Sequence, residues 1–334
     1  MNFTNKDYKN KAKEILQRKK PNLDNSITNE DAFLILIHNL DIKKIDNLCN
    51  KLAEELKISI DEAYYLTQNT SDEKIKKDIL RIALDIILNK DTLGTEKVNG
   101  FNTSEFINHS IYEAIFSYEL ATLIGINNNY AFNYALLHDY GRKYTHKFDH
   151  VTIGFEKLYD LGLYDLSKAS LSHSFINGGK YCCNDGAKEG FKVDYNGKES
   201  YRDEEDYDDI YDVLSTSHYN QYDEILNIAD LIATSYGIVS PEERINDIAK
   251  RRNSLDTKPN RKYFLASYAN LLIDYLYLIG YPIKLTKINF NTLGLNEIKK
   301  EFARISSIFY YFYLSKKTAL DIEYKYEKKE KKRK

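Results

Sequence analysis

The chain contains too little proline and glycine for a protein built mainly from strands and tight turns. It has four Pro and 14 Gly among 334 residues, whereas an all-β chain of this length needs many turns. Apolar residues instead recur every three or four positions, as in residues 43–57 and 73–89, which is typical of amphipathic helices. Ser59 with an acidic residue three positions later is typical of a helix start. The sequence therefore predicts an all-α fold.

Changes in composition divide the chain into three predicted parts. Residues 1–95 form an N-terminal helical domain, and residues 96–323 form a second helical domain. Residues 324–334, with seven Lys and Arg against two Glu, predict a basic disordered tail. Residues 177–206 hold five of the 14 glycines and border an acidic run, so we expect a mobile insertion within the second domain.

Charge and hydropathy exclude several classes of protein. Forty-eight Lys and Arg against 50 Asp and Glu leave a net charge of −2, so binding of long nucleic acid is not expected. The most apolar run, residues 264–281, carries Asn270 and Asp274. A central Asp costs about 2.5–3.5 kcal/mol in a bilayer, so this run is expected to be a buried helix. With three cysteines and no apolar leader segment, the chain is predicted to be cytoplasmic, without membrane association.

The histidines are concentrated in one part of the second domain. Five of the seven lie within the 65 residues from 109 to 173, where an even distribution would place about one or two. The sequence has no glycine-rich phosphate loop and no cysteine-based zinc motif. The candidate chemistry is therefore that of imidazole and carboxylate groups. The clustered histidines are His109, His138, His146, His150 and His173.

A His-Asp doublet is the centre of this histidine-rich region. His138 and Asp139 follow an apolar helical segment and precede Gly141 and Arg142. Neighbouring helical residues project about 100° apart, so both reach one metal ion only near a helix end or between helices. Asp230 lies in an otherwise apolar helix face and needs a cation or a hydrogen-bond partner there. Imidazole and carboxylate ligands together suit Fe, Mn, Co, Ni or Zn.

These residues resemble the HD-domain superfamily of metal-dependent phosphohydrolases, which is all-α. The family signature is a His, then a His-Asp doublet, then a distant Asp on a helical bundle. Members with two metal ions add two histidines, similar to His150 in His-Val-Thr-Ile-Gly and His173 in Leu-Ser-His-Ser-Phe. The resemblance covers roughly residues 104–250. It implies a metal-ligand set of His109, His138, Asp139, His150, His173 and Asp230.

The same resemblance implies a reaction. We expect hydrolysis of a phosphoester, of a nucleotide or signalling nucleotide, by a hydroxide activated by one or two divalent transition metal ions (Fe, Mn, Ni, Co or Zn). Asp139 would bridge two metals or orient the water molecule. Arg142 would contact a substrate phosphate, and Lys143 stands beside it. These three residues are the predicted catalytic groups.

Two other functions fit the same residues. The ligand set resembles that of HD-type di-iron oxygenases, which consume O₂. A non-catalytic module that senses a nucleotide and binds a partner is the second alternative. The N-terminal helices are candidates for a homo-oligomer contact or a protein partner.

Two further residues near the predicted ligands have open roles. His146 lacks the glycine that follows His150 four residues later, and we interpret it as a surface or substrate-side residue. Glu113, one turn after His109, is either a hydrogen-bond partner of a ligand or an ordinary helix-face residue.

Overall fold

A computed structural model of the protein confirms the all-α prediction, because most described residues lie in helices and each strand has only two or three residues. The structure describes a set of separate ranges, and every structural statement below concerns those residues. The ranges are 27–37, 42–88, 97–98, 101–144, 150–173, 191–193, 199–201, 219–251 and 260–331.

The described ranges contain twelve α-helices and one short 3₁₀ helix. The α-helices are α1 (Asn29–Ile37), α2 (Ile42–Leu56), α3 (Ile60–Asn69), α4 (Glu73–Leu88), α5 (Thr103–Ile124), α6 (Asn128–Leu136), α7 (His150–Asp160), α8 (Tyr164–Ser172), α9 (Gln221–Asp230), α10 (Pro241–Arg251), α11 (Asn260–Leu278) and α12 (Leu295–Lys331). The 3₁₀ helix, Tyr140–Lys143, lies between α6 and α7.

Polar side chains fix the start of two of these helices. The Ser59 hydroxyl accepts a hydrogen bond from the Glu62 amide at 3.2 Å, at the first turn of α3. At the start of α9, Asn220 caps the helix while the Asp223 carboxylate accepts from the Asn220 amide at 2.8 Å. Both arrangements satisfy backbone donors that a helix start leaves without an intrahelical partner.

Among the described residues, six short strands form three two-stranded sheets. They are β1 (Lys97–Val98) with β2 (Phe101–Asn102), β3 (Phe191–Val193) with β4 (Glu199–Tyr201), and β5 (Ala233–Thr234) with β6 (Gly237–Ile238). The apolar periodicity of residues 207–237 predicts a helix; residues 207–218 lie outside the described ranges, and α9 ends at Asp230, before a hairpin. Gly237, the first residue of β6, has a φ of +142°, a conformation that residues with a side chain rarely adopt.

The described residues form two compact units. The first contains those up to Ile115, Asn129–Leu171 and Ala233–Gly237. In this unit α1 to α4 pack on one another, and α1 is tied to α6 by side-chain amides. Asn29 Nδ2 donates to Asn129 Oδ1 at 2.9 Å, and Asn133 Nδ2 donates to the Ile27 carbonyl at 3.1 Å.

The second unit contains Phe116–Asn128, Ser172–Ile232 and the described residues from Ile238 onward. Its centre is the packing of α11 on α12, joined by α9 and α10. Tyrosine hydroxyls inside this unit bond to helix backbone: Tyr268 donates to the Ile228 carbonyl at 3.1 Å. Phe116 is fully buried, with its ring centroid 4.9 Å from that of Tyr313.

Neither unit begins or ends at residue 96, the predicted domain boundary. Most of the predicted insertion at 177–206 lies outside the described residues, apart from β3 and β4. The helix α12 continues to Lys331, although a disordered tail is predicted from residue 324. Its Lys and Glu residues are good helix formers, and no Pro or Gly interrupts them.

Among the described helices, none is both long and apolar enough to span a bilayer. The apolar run noted in the sequence forms much of α11, and its polar side chains have partners. The Asn270 side chain bonds to both the amide and the carbonyl of Ile288, and Asp274 pairs with Lys287 at 2.8 Å. These contacts explain two polar residues in an apolar helix.

Replacing Phe116 with Ala tests the core of the second unit. Phe116→Ala should lower the free energy of unfolding by about 3–5 kcal/mol, because it leaves a cavity at a fully buried ring. Tyr118→Ala on the same helix is the control, since Tyr118 is exposed and should change stability by no more than about 0.5 kcal/mol. Urea unfolding followed by circular dichroism measures both. Equal losses in the two variants would contradict the assignment of Phe116 to the core.

Candidate metal centre

Helix α5 supplies the first two side chains of a buried polar cluster in the first unit. His109 and Glu113 are four residues apart and therefore lie on one face of the helix. His109 is 9% exposed and Glu113 is completely buried. His109 Nε2 lies 3.6 Å from Glu113 Oε2. An apolar helix thus carries an imidazole and a carboxylate into the interior.

The His-Asp doublet lies one residue beyond the end of α6, where the chain tightens into 3₁₀ turns. The His138 amide bonds to the Ala135 carbonyl at 3.3 Å, and the Arg142 amide bonds to the Asp139 carbonyl at 2.8 Å. Both bonds span three residues rather than four. Because the regular helix has ended, the two side chains of the doublet can face one site. His138 Nε2 lies 3.6 Å from Asp139 Oδ2.

His138 is the residue that connects the doublet to α5. Its Nδ1 lies 2.9 Å from Glu113 Oε2 and 2.8 Å from the Ala135 carbonyl oxygen. The imidazole rings of His109 and His138 meet edge to face, with centroids 5.6 Å apart. His109, Glu113 and His138 each offer one ligand atom, and these three atoms lie within 4.8 Å of one another.

Asp139 is a buried carboxylate surrounded by basic groups. Arg142 Nε lies 3.1 Å from Asp139 Oδ1 and 3.2 Å from Oδ2, and His150 Nε2 lies 3.1 Å from Oδ1. Burial alone would raise the pKa of the Asp139 carboxyl, but Arg142, His138 and His150 together hold that pKa well below its usual range. Asp139 is therefore ionised at neutral pH.

His150 is the first residue of α7, and two glycines bring α7 against the turn that holds Asp139. A Cβ atom on Gly141 would lie 1.9 Å from the His150 carbonyl oxygen and 2.7 Å from the Gly154 amide nitrogen. A Cβ atom on Gly154 would lie 2.9 Å from the Gly141 nitrogen. No side chain fits between these backbones, which explains the glycine four residues after His150.

The remaining predicted residues lie as follows. His173 and Asp230 belong to the second unit. His173 is buried directly after α8, and its carbonyl accepts from Asn227 Nδ2 at 3.1 Å. Asp230 ends α9, and its carbonyl accepts from Arg244 Nε at 3.4 Å.

The two predicted cations differ in their surroundings. Arg142 is bonded to Asp139, whereas Lys143 is exposed, with its Nζ 5.7 Å from the centre of the Tyr144 ring. His146 lies outside the described residues, so its predicted surface or substrate-side role stays a prediction.

The side chains of this cluster fit a divalent transition metal ion. Two imidazoles and a carboxylate come together at His109, Glu113 and His138, and Asp139 with His150 adds another carboxylate and imidazole. This mixture of nitrogen and oxygen donors suits Fe, Mn, Co, Ni or Zn better than the all-oxygen sites of Mg or Ca. Its burial also favours binding of a cation, since water screens the carboxylates poorly there.

Comparison of the chain with protein-family models, with curated proteins and with solved structures finds no match.

Glu113 is the one member of the cluster that was not among the predicted ligands. Its i, i+4 spacing from His109 was visible in the sequence. Its contact with His138 was not, because that contact joins α5 to the turn after α6, and the two residues are 25 positions apart in the chain. Only the packing of α5 beside the end of α6 reveals it.

Replacing Gly141 with Ala tests the close contact between the 3₁₀ turn and α7. The added Cβ would meet backbone atoms of His150 and Gly154 that cannot rotate away. We expect Gly141→Ala to lower the free energy of unfolding by about 1–3 kcal/mol. The control is Gly294→Ala, where the nearest atom is the end of the Glu297 side chain at 3.3 Å. Chemical unfolding compares the two, and a Gly141→Ala protein as stable as the control would refute the contact.

Proposed function

We propose that the protein is a metal-dependent phosphohydrolase that cleaves a phosphoester of a nucleotide or signalling nucleotide. The observation that carries the proposal is the surroundings of Asp139. This buried carboxylate has Arg142 on one side and His150 on the other, directly after the His138 that faces α5. The donor chemistry supports a metal site, and the adjacent guanidinium supports an anionic substrate. The nucleotide itself rests on the resemblance to the HD-domain superfamily.

The proposed ligands in the first unit are His109, His138, Asp139 and His150. Asp230 and His173 belong to the second unit, and their place in the ligand set stays a prediction from the resemblance. Asp139, next to His138 in the chain, is the carboxylate proposed to hold a metal ion or to orient a water molecule.

The roles of the chain's own residues follow from their charge and burial. When bound, a divalent metal ion lowers the pKa of coordinated water and polarises a phosphoryl oxygen. The ionised Asp139 carboxylate can accept a hydrogen bond from a water molecule and orient it for attack. Arg142 offsets the charge that develops on the phosphoryl oxygens. Its guanidinium is held in place by Asp139 through two hydrogen-bond contacts. Lys143, exposed one residue later, is proposed to meet the substrate from the solvent side.

The proposal also covers where the protein acts and with what. We propose a cytoplasmic enzyme whose substrate is a small phosphorylated molecule. A contact through α1 to α4, between copies or with another protein, stays a prediction. The di-iron oxygenase and the non-catalytic sensor share the ligand set, and the experiments below distinguish them.

Metal content is the first test. Protein purified without oxygen should contain about two transition metal ions per chain by elemental analysis, as in two-metal hydrolases. Asp139→Asn should lose metal, because a neutral amide replaces the ionised carboxylate between Arg142 and His150. Asp160→Asn is the matched control, since Asp160 is exposed at the end of α7.

The metal content of the variants distinguishes one bound metal ion from two. About one ion per chain, kept in His150→Ala and lost in His138→Ala, would reduce the proposal to a single-metal site. Absence of metal after incubation with Mn, Fe, Co, Ni and Zn would refute the metal site altogether.

Turnover under controlled oxygen is the second test. The Mn-loaded protein should hydrolyse bis(p-nitrophenyl) phosphate in an oxygen-free cuvette, and Asp139→Asn should reduce the rate at least about 100-fold. The measurement is p-nitrophenolate release, with Asp160→Asn again as the control. Turnover that requires Fe and O₂ would replace the hydrolase proposal with the oxygenase. A metal-loaded protein inactive under both conditions, but binding nucleotides, would favour the sensor.

A further inference from the structure

We infer that Glu113 is a positioning residue that fixes the ring of His138 for metal binding. The inference rests on the metal site of the proposed function, to which it adds a residue outside the predicted ligand set. Glu113 is completely buried on α5, among the first unit's most deeply placed polar residues. Its Oε2 is the atom in contact with His138 Nδ1, at 2.9 Å.

Two oxygen atoms lie close to the same nitrogen of His138. The Ala135 carbonyl oxygen lies 2.8 Å from Nδ1, and Glu113 Oε2 lies 2.9 Å from it. The carbonyl oxygen can only accept, so Nδ1 must carry the hydrogen. A neutral His138 then has its lone pair on Nε2, the nitrogen that lies 3.6 Å from Asp139 Oδ2. The ligand atom of His138 is therefore Nε2.

The two oxygen atoms contribute differently. The Ala135 carbonyl is three residues before His138 and moves with the same turn. Glu113 comes from α5, so its contact ties the doublet to the helix that carries His109. Its carboxyl group also lies beside the N–H of Nδ1, and a carboxylate in that place strengthens an imidazole as a ligand at its other nitrogen.

The same carboxylate oxygen also lies near the second imidazole. Glu113 Oε2 is 3.6 Å from His109 Nε2, and the two histidine rings meet edge to face. One side chain thus sets the relative placement of both imidazoles. Loss of its charge should weaken metal binding without removing a ligand.

Cobalt titration of the metal-free, full-length protein measures the effect on binding. Glu113→Gln keeps the size of the side chain and removes its charge. We expect about 10–100-fold weaker Co²⁺ binding, with the visible absorption bands of bound Co²⁺ unchanged in position and intensity. Glu119→Gln, on the same helix, should bind Co²⁺ like the wild type. Glu119 contacts Lys317 at 2.6 Å and the Tyr313 hydroxyl, and no histidine contact is described for it.

Two results would overturn the inference. Unchanged Co²⁺ affinity in Glu113→Gln would mean that the charge does not act through His138. Altered intensity of the absorption bands would mean that the number of ligands has changed and that Glu113 binds the metal directly.

A second readout needs no metal and separates this inference from the proposed function. In ¹⁵N-histidine spectra of the metal-free protein, recorded where the imidazole is neutral, His138 should carry its hydrogen on Nδ1. Glu113→Gln should keep this form, because the Ala135 carbonyl still accepts from Nδ1. His138→Gln identifies the signal. An Nε2–H form in the wild type would refute the inference even if metal binds.

Discussion

The first unit is organised around the cost of burying carboxylates. Glu113 and Asp139 are both inside the protein, where an ionised group without compensation is strongly destabilising. The protein meets that cost with basic side chains from three directions: α5, the turn after α6 and the start of α7. The ionised state of Asp139 depends on Arg142, His138 and His150 being in place. A buried carboxylate that basic groups keep ionised is weak evidence that the cluster stabilises the fold. It is stronger evidence that the cluster binds a cation.

Three of the five clustered side chains, His138, Asp139 and His150, lie at or near the end of a helix. Side chains within a regular helix point outward at fixed angles, so neighbours cannot share a site. The doublet follows α6 after one intervening residue, and His150 is the first residue of α7. His109 and Glu113, by contrast, lie inside α5. Those two are one turn apart and therefore share a face. The helices thus hold the cluster rigidly, and the breaks between helices let its side chains face one another.

Much of this could be predicted from the sequence, because local patterns determine helices. The periodicity of residues 43–57 and 73–89 corresponds closely to α2 and α4, and Ser59 caps α3 as its spacing indicates. The sequence pattern does not predict the hairpin after α9, because apolar periodicity carries no information about the backbone conformation at Gly237. The contact between Glu113 and His138 was missed for another reason. It depends on how α5 packs beside the end of α6, and one sequence alone does not show which residues of the two meet.

The approach of Gly141 to α7 has a consequence for how such a chain can diverge. It fixes Asp139 and His150 through backbone contact, so their placement does not depend on which apolar side chains fill the surrounding core. Hydrophobic cores tolerate extensive exchange among residues of similar volume. A lineage can therefore rewrite nearly all of its helices while the glycines and the ligands stay. The spacing of the two glycines, rather than the identity of the surrounding apolar residues, is what this contact requires of the sequence.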